Sequence, residues 1–339
     1  MVTDQNSMKT RSQPDVLVVE DLRKSYGPRH ALQGLTFSLK AGRILGLLGP
    51  NGAGKTTALR ILTTAIEPES GHFVIDGIPS RYPEQIRQKI GVLPETVNFH
   101  EQVTGLEYLI NYGQQAGLGN SEARQNAQIL MDVVALHQKS KSPISSYSYG
   151  MRQRIGIACA LINDPVVVFL DEPTLGLDSG GQREFLELIR RIARERNIAI
   201  LFCTHLLTEV ERACDDVVIL NLGQVVAKGT VDEVIGRAHR NLLSLNMMRV
   251  QVPPAAVVET RQVLEGMPNI LKLTHINEAE GWLEMGLIPA SSSSSVNTYQ
   301  VNNRILGALI RAKIPIISFA PEEGRLPDMF LNLNQDVIK

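Results

Sequence analysis

Gly49-Pro50-Asn51-Gly52-Ala53-Gly54-Lys55-Thr56, with Thr57 following, are the residues whose types and spacing most directly suggest chemistry. The glycines let backbone N–H groups turn toward an anion with no Cβ in the way. Lys55 is spaced to reach the β and γ oxygens of a nucleoside triphosphate, and the Thr56 hydroxyl to ligate Mg²⁺. Such a loop works only between a strand and a helix. The apolar run 44–48 before it and the stretch 58–62 after it supply both.

A second group lies far downstream. Residues 166–170 form a β-branched apolar run of the kind that makes a buried parallel strand, and the run ends in Asp171-Glu172. Asp171 at the strand's carboxyl end can reach Mg²⁺ through water, while Glu172 can orient and polarise an attacking water. An acidic pair after a strand is more often a solvated turn, so this reading depends on partner motifs.

Those partners are present, and they carry a family resemblance. Tyr147-Ser148-Tyr149-Gly150-Met151-Arg152-Gln153-Arg154 resembles the signature motif of ABC ATPases, usually written LSGGQ, with Tyr149 in place of a glycine and Met151 in place of the glutamine. The resemblance implies that Ser148 and Gly150 hold the γ-phosphate of a nucleotide bound to the opposite subunit of a dimer. Physically, Ser148 as N-cap would present a helix N-terminus to an anion. Tyr26 stands where the family stacks an aromatic ring on adenine. Leu175-Gly176-Leu177-Asp178 matches the D-loop, whose Asp178 would reach across the dimer interface, and His205 matches the switch histidine that contacts the γ-phosphate. Glu95, in Leu93-Pro94-Glu95, falls where the family usually has a glutamine that contacts metal and water and signals to the membrane subunit. A carboxylate there keeps an oxygen for the metal but adds charge beside Asp171 and Glu172.

The expected fold class is therefore α/β: a P-loop NTPase of ABC ATPase type with antiparallel β and helical subdomains, plus a small ferredoxin-like α+β domain. The expected partition is a disordered tail over 1–14, a nucleotide-binding domain over 15–238 with its helical subdomain near 96–160, and an accessory domain over 239–339. Strands are expected over 16–20, 37–39, 44–48, 166–170, 199–202, 217–220 and 225–227, with a helix over 182–195. Thr104 is expected to cap a helix over 105–116, and Ser121 a second one bearing Ala127, Leu130, Met131 and Val134 on one face. Beyond 238, strands over 242–252, 271–275, 282–288 and 314–319 and helices over 255–264 and 301–312 give a βαββαβ order. The serines 291–295 within it read as a surface loop.

Composition narrows the partners. The chain has 339 residues and a net charge of −1, which gives no basic field, so nucleic acid is not expected as a partner. Cys159, Cys203 and Cys214 are too scattered for a disulfide or metal framework. No stretch approaches the roughly 20 apolar residues of a membrane span, and the first 14 residues are polar rather than a signal peptide. The resemblance implies ATP and Mg²⁺ as cofactors, a homodimer or heterodimer of nucleotide-binding domains, and a separate integral-membrane permease at whose cytoplasmic face the chain would sit. It points to the exporter branch, which also carries a C-terminal domain ending near Pro327-Asp328-Met329-Phe330-Leu331. The alternative is a soluble ABC mechanoenzyme acting on ribosome or DNA. Such proteins carry two cassettes or a long coiled-coil insertion, and this chain has neither.

Overall fold

The computed structural model describes residues 15–97, 99–100, 102–234, 247–267, 270–277, 279–287 and 298–321. The expected tail, the serine run and the segment near 327–331 lie outside these residues. The chain divides into two compact units, Met1–Val234 and Ile235–Lys339.

The first unit is built on two sheets. β1 (Asp15–Tyr26) and β2 (Arg29–Lys40) pair antiparallel, and β4 (Ser70–Ile75) and β5 (Ile78–Pro79) extend the sheet in the order β2-β1-β4-β5. Both leading strands are longer than expected, and β4 and β5 were not expected. Their alternation is hidden by Gly71, His72 and the Asp76-Gly77 turn.

The second sheet has the order β10-β9-β3-β8-β7-β6. Its parallel part comprises β3 (Ile44–Leu48), β6 (Ile90–Leu93), β7 (Val167–Asp171), β8 (Ala199–Thr204) and β9 (Asp216–Asn221), and β10 (Gln224–Thr230) closes one edge antiparallel. Alternating side chains of these strands feed two cores, as a two-residue period requires. Ile44, Val168, Leu170, Ile200 and Phe202 enter one core with helices on that face. Leu45, Leu47, Phe169, Leu201 and Cys203 enter the other, with α1 (Lys55–Leu62) and the antiparallel sheet. Each large side chain so buried contributes about 1.5–3 kcal/mol.

Three helices beside the first core fall within the expected helical segment: α3 (Gly105–Gln115), α4 (Asn120–Val133) and α5 (Tyr149–Leu161). Thr104 caps α3, and the cap is reciprocal: the Glu107 N–H donates to Thr104 Oγ1 and the Thr104 N–H to Glu107 Oε2. Ser121 does not cap α4. The chain is already helical at Asn120, because the Ala123 N–H bonds to the Gly119 carbonyl and places Ser121 inside the first turn. The connecting helices are α2 (Pro83–Arg87), α6 (Ser179–Arg196) and α7 (Leu207–Ala213).

β6 and α5 meet almost backbone to backbone. A Cβ on Gly91 would lie 1.9 Å from the Ala160 carbonyl oxygen. Gly91→Ala is therefore expected to cost about 3 kcal/mol through forced separation of strand and helix. Urea unfolding followed by circular dichroism checks it, since the single tryptophan, Trp282, lies in the other unit. An unchanged midpoint would mean that the gap opens freely.

In the second unit, β11 (Met247–Gln251), α8 (Val257–Glu265), β12 (Ile270–Asn277), β13 (Trp282–Leu287), α9 (Thr298–Arg311) and β14 (Ser318–Pro321) follow one another. All strand pairs are antiparallel, in the order β12-β13-β11-β14. That split βαβ arrangement is ferredoxin-like. Val250, Leu264, Leu283, Met285, Ile305 and Leu309 form its core. The last strand begins at Ser318 rather than 314, because Ile314 is spent on that core and the ladder to β11 starts only opposite Gln251.

Candidate active site

β3 lies inside the parallel sheet between β9 and β8, so the loop after it opens at the sheet's carboxyl edge, where ligands of such sheets bind. Gly54, at φ 112°, turns the chain into α1, and a Cβ there would meet the Ala31 carbonyl oxygen at 2.4 Å. No side chain caps α1, so its first amides and the positive end of its dipole face the cleft.

A cleft of about 560 Å³ gathers residues from five segments of the chain. Tyr26, Pro50, Asn51, Gly52, Gly54, Lys55, Thr56, Thr57, Glu95, Asp171, Glu172 and His205 all line it. Gly49 and Ala53 lie behind the loop: Gly49 abuts the Leu220 carbonyl, and Ala53 is buried with its carbonyl accepting from the Gly223 N–H. Leu175, the first residue of the D-loop match, also lines the cleft, as does Arg29, which was not singled out from the sequence and whose Nη2 donates to the Gly52 carbonyl at 3.2 Å.

The charged contacts of the cleft converge on Glu172. Its backbone sits at φ 44°, in the left-handed region that a β-carbon disfavours, immediately after β7. One carboxylate oxygen lies 3.6 Å from Lys55 Nζ, and the other meets His205 Nδ1 at 2.9 Å. Lys55 also donates to the Gly49 carbonyl at 2.7 Å. Beside them, Asp171 is held above the usual carboxylate range, first by burial and then by the charges of Glu172 and Glu95, with Lys55 and Arg60 opposing. A cation entering among these oxygens would relieve that penalty.

The cleft fits a nucleoside triphosphate on three counts. It offers an uncapped helix N-terminus, a nearly buried lysine and a shape that glycines leave open. Among the described residues, no group of three or more His, Cys, Asp or Glu could hold a metal by itself. Thr56, Asp171 and Glu95 therefore offer oxygens of the sort that bind Mg²⁺ jointly with phosphates rather than as a complete cage.

Ser148, Gly150 and Asp178 are elsewhere in the first unit. They line a second depression of about 620 Å³ that shares no residue with the first. Ser148 caps α5, its Oγ accepting from the Met151 N–H at 3.3 Å, and Asp178 caps α6, accepting from the Gly181 N–H at 3.1 Å. The Tyr149 ring covers Gly176, so the residue that departs from the usual glycine packs on the neighbouring loop. The segment after Glu172 spans both sites, with Leu175 in the cleft and Gly176, Leu177 and Asp178 in the depression.

Comparison with known proteins agrees with this arrangement. The ABC transporter family model matches residues 32–175. The linearmycin resistance ATP-binding protein LnrL of Bacillus subtilis is 29% identical over 320 residues, covering 94% of this chain and 98% of that protein. The Nod factor export ATP-binding protein I of Ralstonia nicotianae is 38% identical over 222 residues, 65% of this chain and 68% of that protein. A solved ATP-binding subunit of an ABC transporter is 33% identical with a TM-score of 0.57, covering 66% of this chain and 92% of that one. The chain belongs to the ATP-binding proteins of ABC transporters and is the ATP-hydrolysing subunit of such a transporter.

Proposed function

We propose that this ATPase powers export through a separate integral-membrane permease, with two nucleotide-binding domains closing on ATP at the cytoplasmic face of the membrane. The observation that carries the catalytic part is the meeting of Lys55, Asp171, Glu172 and His205 in one cleft, with Glu172 held between the lysine and the histidine. Lys55 and the α1 amides bind the phosphates, and Tyr26, which is half exposed at the rim, stacks on the adenine. Thr56, Asp171 and Glu95 would hold Mg²⁺, which when bound would neutralise charge on the phosphate oxygens. Glu172 takes the proton of the attacking water as its oxygen bonds to the γ-phosphorus and the bridging oxygen departs with ADP. His205 holds the Glu172 carboxylate in place and contacts the γ-phosphate.

Ser148, Gly150 and Asp178 act on the nucleotide of the opposing subunit, whether that subunit is a second copy or a different chain. Their separation from the cleft within this chain supports that reading. ATP then favours the closed pair over the open one, and hydrolysis removes the preference. No helix among the described residues is long and apolar enough to cross a membrane, so the translocation path is assigned to the permease. The names of the two relatives, one for linearmycin resistance and one for Nod factor export, support outward transport. We assign 15–238 to the nucleotide-binding domain and 239–339 to the accessory domain, a partition supported by the boundary at Val234–Ile235.

Glu95 offers a test of the metal site. Glu95→Gln keeps an oxygen and is expected to hold ATPase activity within about tenfold, whereas Glu95→Ala is expected to raise the Mg²⁺ requirement and weaken coupling to the permease. Mg²⁺ titrations of hydrolysis for both variants check this. A loss beyond about a thousandfold in Glu95→Gln at saturating Mg²⁺ would instead make Glu95 a second base.

A further inference from the structure

Glu209 stands in the first turn of α7 yet is only 3% exposed. Carboxylates are rarely buried to that extent unless their oxygens are satisfied. Here both oxygens accept from hydroxyls: Thr204 Oγ1 donates to Oε2 at 2.5 Å, and Thr174 Oγ1 donates to Oε1. Both threonines are buried too, and Thr204 Oγ1 also accepts from the Leu206 N–H at 3.0 Å.

The positions of the two threonines give this bridge its meaning. Thr174 is two residues past Glu172, and Thr204 immediately precedes His205. The β7–β8 ladder ends with Asp171 opposite Cys203, and one further backbone bond, Glu172 N–H to the Cys203 carbonyl at 2.9 Å, closes it. Beyond that point the loops bearing Glu172 and His205 are no longer laddered, and Glu209 ties them together. An apolar side chain would fill the same space without the desolvation cost of a carboxylate, so packing alone does not account for a glutamate here.

We infer that Glu209 is a positioning residue for hydrolysis: the Thr174–Glu209–Thr204 bridge sets the registry of the two loops and so the 2.9 Å contact between His205 and Glu172. It touches no reacting atom. The inference rests on the proposed catalytic roles of Glu172 and His205. Because Thr174 also begins the segment that reaches Asp178, the same bridge links the cleft to the loop in the second depression.

The test uses Glu209→Ala and Glu209→Gln in the full chain, each alone and combined with His205→Ala. Single-turnover hydrolysis is read beside direct binding of a fluorescent ATP analogue, whose stoichiometry reports the folded fraction. Glu209→Ala is expected to lower the hydrolysis rate per bound site about 10–100-fold while nucleotide affinity stays within about threefold. Glu209→Gln, which keeps one acceptor and the volume, is expected to recover most of the rate. In the His205→Ala background, Glu209→Ala is expected to lower the residual rate by less than about threefold, because both changes remove the same positioned contact.

A normal rate in Glu209→Ala overturns the inference, as does a fall in stoichiometry with an unchanged rate per site. If Glu209→Ala fails to fold, Thr174→Val, which removes one arm of the bridge, carries the same criteria. A wild-type rate in His205→Ala overturns the catalytic reading of His205 and this inference with it. A crippled His205→Ala beside a fully additive Glu209→Ala overturns the inference alone.

Discussion

Glu172→Gln is expected to bind ATP normally and to hydrolyse it about 10²–10⁴-fold more slowly, equivalent to about 2.7–5.5 kcal/mol of lost transition-state stabilisation. Glutamine keeps the shape of the side chain and an oxygen for His205, but it cannot take a proton from water. The proposed phosphate-binding parts, Lys55 and the α1 amides, are untouched, so affinity is expected to be spared. His205→Ala is expected to slow hydrolysis with the same sparing of affinity, because His205 meets Glu172 rather than the phosphate-binding loop. Single-turnover hydrolysis beside nucleotide binding measures both effects. Near-normal turnover in Glu172→Gln would remove Glu172 from the base role, and loss of binding in His205→Ala would make that histidine structural.

The left-handed backbone at Glu172 accounts for how a residue one place after a strand reaches the position that the proposed base role needs. Asp171 continues the alternation of β7 and is nearly buried, whereas the turn at φ 44° swings the next carboxylate toward Lys55 and His205. Strain of about 1–3 kcal/mol at such a residue persists only where the surroundings over-determine it. The backbone bond to Cys203 and the bridge through Glu209 are two such constraints.

How far the site was legible follows from how local its signals are. The loop from Gly49 to Thr56, Asp171-Glu172 after its strand and Ser148 before its helix each announce themselves within a few residues, since the chemistry needs fixed spacing along the chain. Three of the parallel strands were legible for a similar reason: β3, β7 and β8 are buried at every position and read as almost wholly apolar runs, whereas β6 was not expected. Arg29 and Glu209 carry no such signal. Glu209 reads as one more acid in a helix's first turn, and its role depends on hydroxyls supplied by Thr174 and Thr204. β4 and β5 were missed because β4 opens with exposed Ser70, Gly71 and His72, so only its last residues show the strand pattern. Ser121 misled for the opposite reason: a good capping residue stood one place inside a helix that had already begun.

The other large effect concerns the second depression. Ser148→Arg is expected to leave each monomer's nucleotide affinity nearly unchanged and to abolish ATP-dependent pairing of Glu172→Gln subunits. Ser148 caps α5 at the edge of a surface that also holds Gly150 and Asp178, well suited to receive an anion from outside the chain. On the proposed reading, an arginine there adds bulk where the opposing γ-phosphate would approach the helix amides. It also removes the cap, and Ser148→Ala separates the two effects by losing the same cap, about 1 kcal/mol, without adding bulk. Sedimentation with and without ATP, in the Glu172→Gln background that prevents turnover, reads the outcome. Loss of the dimer in Ser148→Arg but not in Ser148→Ala supports placement of the depression against a partner's nucleotide. An undiminished dimer in Ser148→Arg would show that this surface does not face the partner, and Ser148, Gly150 and Asp178 would then act only as local structure around α5 and α6.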